Sequence, residues 1–549
     1  MKKNYTPEDE LLFLALGGSG EIGMNVNLYG CRGQWLMVDL GMSFGANEYP
    51  GTELLFADID FIEERRRDLL GVVLTHAHED HIGAVPYFAA DLGVPLYATP
   101  FTADLVRLKL KEAGLEREVE LIVVEEDHGR IELGPFAVTY VPLAHSIAEG
   151  NALLIETPHG TVFHTGDWKL DEEPLVGRPA TGAELAELGD NGILAMVCDS
   201  TNVFNAVPSG SEGAVLRGLM EEVQRHSGKR VMVTTFASNV ARLQTLGEVA
   251  RATGRQLCVA GRSLDRMIAV AQDNGYLADL PPLVDFDTAM SLPRGKVLIL
   301  ATGGQGEPRA ALSRIAEGNH PISLSEGDVV LFSSRQIPGN ELAIGRVQNR
   351  LAERGITLVT DRQSEIHVSG HPGRPELETL YGWLRPEILV PVHGEMRHMQ
   401  EQARLGAASG IPETVVQKNG DIVRLAPGRP GRLASVRNGR LVLDGDIIVP
   451  ADGESITTRR RLARDGLVIV VVDGRGGVQV QGVGLPLDED YADFVAEAER
   501  DVARAVQKVK GGARGEREAV TEAARLAARR AAQRWSGKKP QTQVILPRG

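Results

Sequence analysis

Ten residues, LTHAHEDHIG (74–83), constrain the fold of this chain more than any other stretch. An apolar strand, GVVLTHA, ends at His76 and His78. They stand two apart, so both rings project from one side of the strand. Asp80 and His81 follow as a helix opens at IGAVPYFAA, whereas Glu79, between them, points away. A strand end feeding a helix start thus delivers four ligand-type side chains to one small volume. Zinc takes imidazole and carboxylate, and a pair of ions needs more donors than this run supplies. Further His and Asp are therefore expected at other strand ends. His145 closes FAVTYVPLAH, Asp167 closes TVFHTGD and His393 closes EILVPVH, each opening into Gly, Ser or a turn.

At 549 residues the chain exceeds one ordinary core, so two to four domains are expected. Residues 11–200 alternate short apolar strands with turns and a few helices. From 213 strand and helix alternate regularly (VMVTTFA, LCVAG, KVLILATGG, DVVLFSS), the pattern of a parallel sheet with crossover helices. Shorter strands return at ITLVT and ILVPVHG. Residues 425–455, rich in Gly, Pro and Arg, read as a linker with a small β element, and the tail reads strand, strand, two helices, strand. A net charge of −15 argues against non-specific nucleic-acid binding, though not against an enzyme with a local basic groove. Cys31, Cys198 and Cys258 lie far apart and read as reduced core thiols of a cytoplasmic protein. The apolar LLFLALG follows Glu8, Asp9 and Glu10 with no A-x-A site after it, so it reads as a first strand and not a signal peptide. No apolar stretch approaches the length of a membrane span.

The HxHxDH constellation with its distant His and Asp resembles the metallo-β-lactamase superfamily. That resemblance implies an αββα sandwich and two divalent ions, Zn²⁺ first, with Mn²⁺ or Mg²⁺ able to serve activity. One ion would take His76, His78 and His145, the other Asp80, His81 and His393. Asp167 would bridge them, and Asp39, at the end of WLMVD, would hold a ligand histidine from behind. The long gap from Asp167 to His393 implies an inserted domain, as in the β-CASP subgroup, whose substrates are RNA or DNA. VCDSTN (Asp199), EIHVSGH (His367) and PVHGE (His393) follow its motif order. Within it, GGSGEIGMN, HAHEDHIGA, HTGDWKLD, TTFASN, TGGQGEP, IPGNE and HVSGH are similar to the ribonuclease J family over most of residues 15–400. HPGRPELE and TGGQ depart from that family's usual wording. The resulting division is 1–205 and 357–425 for the lactamase-like domain, 206–356 for the β-CASP domain, 426–455 for the linker and 456–549 for a small C-terminal β-α domain.

The resemblance implies a ribonuclease of RNA maturation and decay, acting 5′ to 3′ on 5′-monophosphorylated single strands and also cutting internally. A hydroxide shared by two ions would attack phosphorus in line. Asp80 is counted with the catalytic groups; His367 is expected to protonate the leaving oxygen or clamp the phosphate, oriented by Asp199. Ser369, Gly370 and His371 form a turn able to hold phosphate. Ser238, Asn239, Arg262 and Ser263 open helices of the insert, where anions are favoured, and are expected to grip the RNA backbone. Among other histidines, His164 sits beside the HTGD turn, and His128, His159, His226, His320 and His398 lack ligand spacing. The Arg-rich helix around 514–534 reads as a solvated amphipathic helix at a subunit interface, with a basic RNA-binding face as the other reading. Dimers or tetramers through the C-terminal domain are implied, and partners in an RNA-degradation complex are conceivable; no membrane is. Competing readings are a DNA-directed β-CASP nuclease, a small-molecule hydrolase, which the insert disfavours, and a non-catalytic subunit, which has no need of seven ligands.

Gly18, Gly20 and Gly23 of GGSGEIG match G-x-G-x-x-G, with Asp39 where a ribose-binding acid would stand. A dinucleotide turn needs a helix after its third glycine. MNVNLYG, CRGQ and WLMVD follow instead, which reads as a β-hairpin. The glycine loop is expected to border the metal cleft and to bind no nucleotide cofactor. ATGGQGEP lacks GK[ST] and is no P-loop.

Overall fold

Uninterrupted apolar runs such as LLFLALG and ILVPV need burial on both faces, which only a layered fold supplies. The computed structural model describes residues 9–45, 48–125, 129–336, 340–473, 475–509 and 515–547, with 515 and 516 as backbone only. Glu8, His128, Ile337, Pro338, Gly339 and Arg514 lie outside these residues. Two compact units result. One comprises the described residues up to Ser43 with Phe56–Asn438; the other comprises Phe44–Leu55 with the described residues from Gly439 onward.

In the first unit, among the described residues, eight strands form one sheet. Its order is Gly431–Ser435, Asp421–Ala426, Leu11–Gly17, Val26–Cys31, Gln34–Val38, Leu69–Val73, Leu96–Ala98 and Leu121–Val123. Seven strands form the second sheet, Arg130–Leu133, Phe136–Pro142, Asn151–Thr157, Gly160–His164, Ala195–Asp199, Ile388–Val392 and Glu413–Thr414. Phe13, Tyr29 and Val38 of the first sheet meet Tyr140, Leu153, Val197 and Val390 of the second in one buried layer. The far face of the second sheet is closed by helices Gly182–Asp190, Arg374–Leu384 and Met396–Ala408. Their Leu185, Leu380 and Leu405 pack on Phe163, Met196 and Leu389. Helix Pro100–Ala113 lies against the edge strands of the first sheet. This is the αββα sandwich.

The stretch after the glycine loop is a hairpin: Val26–Cys31 pairs antiparallel with Gln34–Val38. Its two turn residues, Arg32 and Gly33, have φ of 48° and 80°, the left-handed pair that matches strand twist.

The insert is a five-stranded parallel sheet in the order Gln256–Ala260, Val297–Ala301, Val231–Thr234, Val329–Phe332 and Thr357–Thr360. Because Thr357–Thr360 pairs with Val329–Phe332, the insert runs past 356 to Thr360. Likewise Gly431–Ser435 pairs with Asp421–Ala426, so the first part of the expected linker extends the lactamase-like sheet.

In the second unit, the alternation LVIVVV (467–472) turns Val468, Val470 and Val472 inward. They meet Phe494, Ala498 and Val502 of helix Tyr491–Gln507 and Ala524, Ala528 and Ala531 of helix Gly515–Ser536. Leu467–Val472 pairs with Val478–Val483 antiparallel and with Gln541–Ile545 in parallel. Arg534 of the last helix pairs with Glu497 and Asp501, and Arg525 with Glu522, so these arginines are engaged inside the unit. No local pattern in the sequence marks Phe44–Leu55 as part of this unit. Arg460 donates to the Glu48 carbonyl at 2.5 Å and lies 5.1 Å over the Tyr49 ring. No helix of the described residues is long and apolar enough to cross a membrane.

Candidate metal centre

The ends of strands from both sheets converge on one cleft. Leu69–Val73 runs out into Thr75 and His76, and helix Glu79–Ile82 starts on His78 as its cap. His76 Nε2 and His145 Nε2 lie 3.1 and 3.0 Å from His78 Nδ1. His76, His78, His145 and Asp167 each bring a ligand atom within 4.8 Å of the others, and so do Asp80, His81, Asp167 and His393. Asp167 belongs to both groups. The seven residues singled out in the sequence are thereby brought into two adjoining clusters.

The groups behind the rings set their tautomers. His145 Nδ1 donates to the Gly370 carbonyl at 2.6 Å, leaving Nε2 as a lone pair facing the cluster. His81 Nδ1 donates to Asp39 Oδ2 at 2.7 Å, leaving Nε2 3.2 Å from Asp167 Oδ2. Asp39 is fully buried and also accepts from the Thr75 N–H at 2.8 Å. This is the arrangement by which a carboxylate holds a metal-binding imidazole. Gly370 is required where it stands, because a Cβ there would come within 2.9 Å of His145 Cε1. Asp39 and His393 are non-glycine residues with φ of 64° and 50°. Such left-handed backbone is uncommon outside glycine and gathers at functional sites.

The two clusters differ in charge. Burial and mutual repulsion hold His76 and His145 well below the usual imidazole range and His78 at about 4. These three rings are neutral, and lone pairs at 3.0 to 3.1 Å have no proton to share them all. Burial also works against a charge on His81 and His393, but Asp167 and its neighbouring carboxylates overcome it and raise both well above 6.5. Asp167 is buried and Asp80 half-buried, and His81 and His393 hold both low against the cost of burial. Neutral imidazoles beside ionised carboxylates, with a shared aspartate, form a donor set that fits divalent cations.

The glycine loop borders this cleft. The Gly18 carbonyl accepts from the His393 N–H at 2.6 Å, and a Cβ on Gly23 would stand 3.5 Å from the Asp80 Cβ.

Two placements differ from the sequence reading. Asp199 does not orient His367; its Oδ2 accepts from His371 Nδ1 at 2.8 Å. The pinned Gly370 carbonyl turns the chain so that His371 returns to the cleft, with its ring 5.3 Å from that of His145 and 5.5 Å from that of His393. Asp167, Asp199, His371 and His393 form a third group within 4.8 Å. His367 faces the insert instead. Its Nδ1 is buried without a hydrogen-bond partner, and burial with the nearby Arg242, Arg335 and Lys169 holds its proton affinity well below normal. Both histidines share one motif, so residue order could not separate them; the register of the turn does.

Ser369 Oγ accepts from Asn202 Nδ2 at 2.6 Å and from the His371 N–H at 3.1 Å. Ser238 Oγ lies 3.2 Å from His78 Nε2, at the metal cluster itself. Asn239 caps its helix by accepting from the Arg242 N–H at 2.9 Å. Arg262 and Ser263 are exposed at the start of helix Arg262–Asp273, and no hydrogen bond described here ties them to the histidines. His164 is buried on Tyr29 at 2.9 Å, behind Asp39. His159 faces Asp9, His226 faces Glu222, His320 accepts from the Ile322 N–H, and His398 packs under Phe204. Among the residues that sequence reasoning missed are Thr75 and Thr201, whose hydroxyls touch ligand rings, and Asn25, whose Nδ2 lies 3.1 Å from His81 Nε2; no spacing signal marks them.

Family profiles match four segments: the metallo-β-lactamase superfamily over 23–193; the ribonuclease J beta-CASP domain over 228–351; the Zn-dependent metallo-hydrolase RNA specificity domain over 359–416; and the ribonuclease J C-terminal domain over 454–548. A protein named ribonuclease J from Sinorhizobium meliloti is 41% identical, with 98% of each chain covered. One of the same name from Thermus thermophilus is 33% identical over 98% of this chain and 95% of the relative. A crystal structure of a protein of unknown function from Enterococcus faecalis V583 shares the fold, with a TM-score of 0.54 at 17% identity, covering 76% of this chain and 100% of that one.

Proposed function

The chain belongs to the ribonuclease J family and is a metal-dependent ribonuclease, and from that premise we propose that it trims 5′-monophosphorylated single-stranded RNA in the 5′ to 3′ direction and also cuts internally. The observation that carries this reading is the pair of His/Asp clusters sharing Asp167 beside the His371–Asp199 pair. Two divalent ions, Zn²⁺ first, would be held by His76, His78 and His145 on one side and Asp80, His81 and His393 on the other, with Asp167 between. Bound there, the ions lower the pKa of water and neutralise charge on the phosphate oxygens.

The protein's own groups do the rest. His371 is proposed as the proton donor to the leaving oxygen, because Asp199 holds its Nδ1 and supports a charge on the ring: burial opposes the charge, and Asp199 and Asp167 restore it. His367 takes the other role the sequence offered it, clamping a phosphate. A neutral, half-buried ring with a buried, unpartnered Nδ1, next to Arg242, Arg335 and Lys169, suits an anion. A 5′-phosphate seated there would set the first linkage over the metals and favour stepwise trimming. Ser369, beside His371, and Ser238, beside His78, are proposed as phosphate contacts. Three buried free thiols fit a cytoplasmic place of work. Assembly into dimers or tetramers through the C-terminal domain remains part of this proposal.

The test pairs Mn²⁺- or Zn²⁺-loaded protein with labelled 5′-monophosphate RNA, 5′-triphosphate RNA and single-stranded DNA. Release of mononucleotides from the monophosphate RNA alone supports the reading. Equal attack on DNA, or activity surviving His76→Ala, would sink it.

A further inference from the structure

Thr201 lies two residues beyond the strand Ala195–Asp199, half-buried beneath the cleft. Its hydroxyl is 2.7 Å from Asp199 Oδ1, 3.0 Å from His393 Nδ1 and 2.9 Å from the His393 carbonyl. Its N–H donates to the same Asp199 oxygen at 2.8 Å, and the other Asp199 oxygen accepts from His371 Nδ1, also at 2.8 Å. A hydroxyl has one hydrogen to give and two lone pairs to offer. Beside an ionised carboxylate at the shorter distance, that hydrogen goes to Asp199. The oxygen is then left to accept from His393 Nδ1–H.

This choice fixes the His393 tautomer. With Nδ1 protonated, Nε2, which lies 3.1 Å from Asp80 Oδ2, keeps its lone pair for a cation. Asp167 Oδ1 is a competing acceptor at 3.1 Å from the same Nδ1. An oxygen whose electrons are drawn to a cation accepts a hydrogen bond weakly, so Thr201 is the partner that persists when metal is bound. A second threonine touches both clusters. Thr75 Oγ1 reaches the two Asp39 oxygens at 3.1 and 2.9 Å and His76 Nδ1 at 3.0 Å, and also lies 3.4 Å from His81 Nδ1.

We propose that Thr201 is a positioning residue whose one hydroxyl ties His393 to the Asp199–His371 pair, making capture of the ion at Asp80, His81 and His393 and the aim of the proton donor depend on a single group. The proposal rests on the assignment of His393 as a metal ligand and His371 as the donor.

Titrating Mn²⁺ into the metal-free, full-length wild type, Thr201→Val, Thr201→Ser and Thr75→Val proteins tests it. Valine keeps the shape and removes only the hydroxyl. Thr201→Val should bind one ion as the wild type does and the other about 10- to 100-fold more weakly. Thr75→Val, which removes a hydroxyl touching His76 and the Asp39–His81 pair, should weaken both ions, and Thr201→Ser should restore the wild-type pattern. At saturating metal, Thr201→Val should lower kcat on RNA while leaving KM unchanged. Wild-type affinities for both ions in Thr201→Val overturn the proposal, and so does a serine variant as impaired as the valine. A wild type that takes fewer than two ions overturns the two-ion reading instead; Thr201 is then judged on kcat, where unchanged turnover rejects it. Thr201→Ala, lacking the branched side chain, serves if the valine protein does not fold.

Discussion

The two halves of the metal centre lie side by side and share Asp167, yet they handle protons in opposite ways. His76, His78 and His145 form a pocket whose one carboxylate member is Asp167, and there burial strips the rings of their protons. His81 and His393 stand among Asp39, Asp80, Asp167 and Asp199 and keep theirs, although burial opposes it. The difference teaches that one histidine type makes two kinds of site, according to the number of carboxylates within reach.

Removing the shared group should abolish the distinction altogether. Asp167→Ala is expected to lose both ions and to lower kcat/KM by about 10⁴-fold or more, since ligands acting as a unit fail together. Metal analysis after gel filtration, alongside the RNA assay, checks this; retention of one tightly held ion would show that the clusters are independent.

The next effect separates the two histidines of HVSGH. His371→Gln should cost about 10² to 10⁴ in kcat, the range of a lost general acid. His367→Gln should instead raise KM for 5′-monophosphate RNA with a smaller change in kcat. The reverse pattern would return the donor role to His367.

Proton release sharpens the contrast directly. His81 and His393 have raised pKa values in the metal-free chain, so an ion entering their cluster must displace protons. Its affinity should fall as pH is lowered through those values toward 6.5, by about tenfold per pH unit for each proton displaced. The histidine pocket, with His78 at about 4, has no proton to lose above pH 6.5, and its ion should bind with no such slope. Calorimetry in two buffers of different ionisation heat reads the proton count for each ion. Equal counts for the two ions would break the comparison.

The smallest expected change comes from Gly370→Ala. Its new methyl would press on His145 and Ser146 and on no ligand of the other cluster, so the ion in the histidine pocket should bind a few-fold more weakly while the other keeps its affinity. Misplaced ligands on supporting groups typically cost 10- to 100-fold at most. Equal weakening of both ions would mean that the turn supports the whole cleft.

Much of this was legible in the sequence because ligands at strand ends carry their own punctuation: apolar run, ligand, turn. HxHxDH, His145, Asp167 and His393 were readable in that way, and the inserted domain followed from the gap that separates the last two. The hairpin after GGSGEIG was readable from alternation, which removed the resemblance to a nucleotide turn. Other features left no local trace. Thr357–Thr360 joins the insert by pairing in parallel with the strand before it, Val329–Phe332, across helix Glu341–Glu353. Phe44–Leu55 joins the C-terminal unit across hundreds of residues.

By itself, the sequence determined which side chains are available for metal chemistry and in what order the strands that bear them occur, because period and turn composition are local properties. The tertiary structure alone decided which oxygen backs which ring. Asp199 serves His371 and not His367, and Thr201 joins that pair to His393, because a hydrogen bond is settled within tenths of an ångström. That distance is set by how two sheets and an inserted domain pack, not by spacing along the chain.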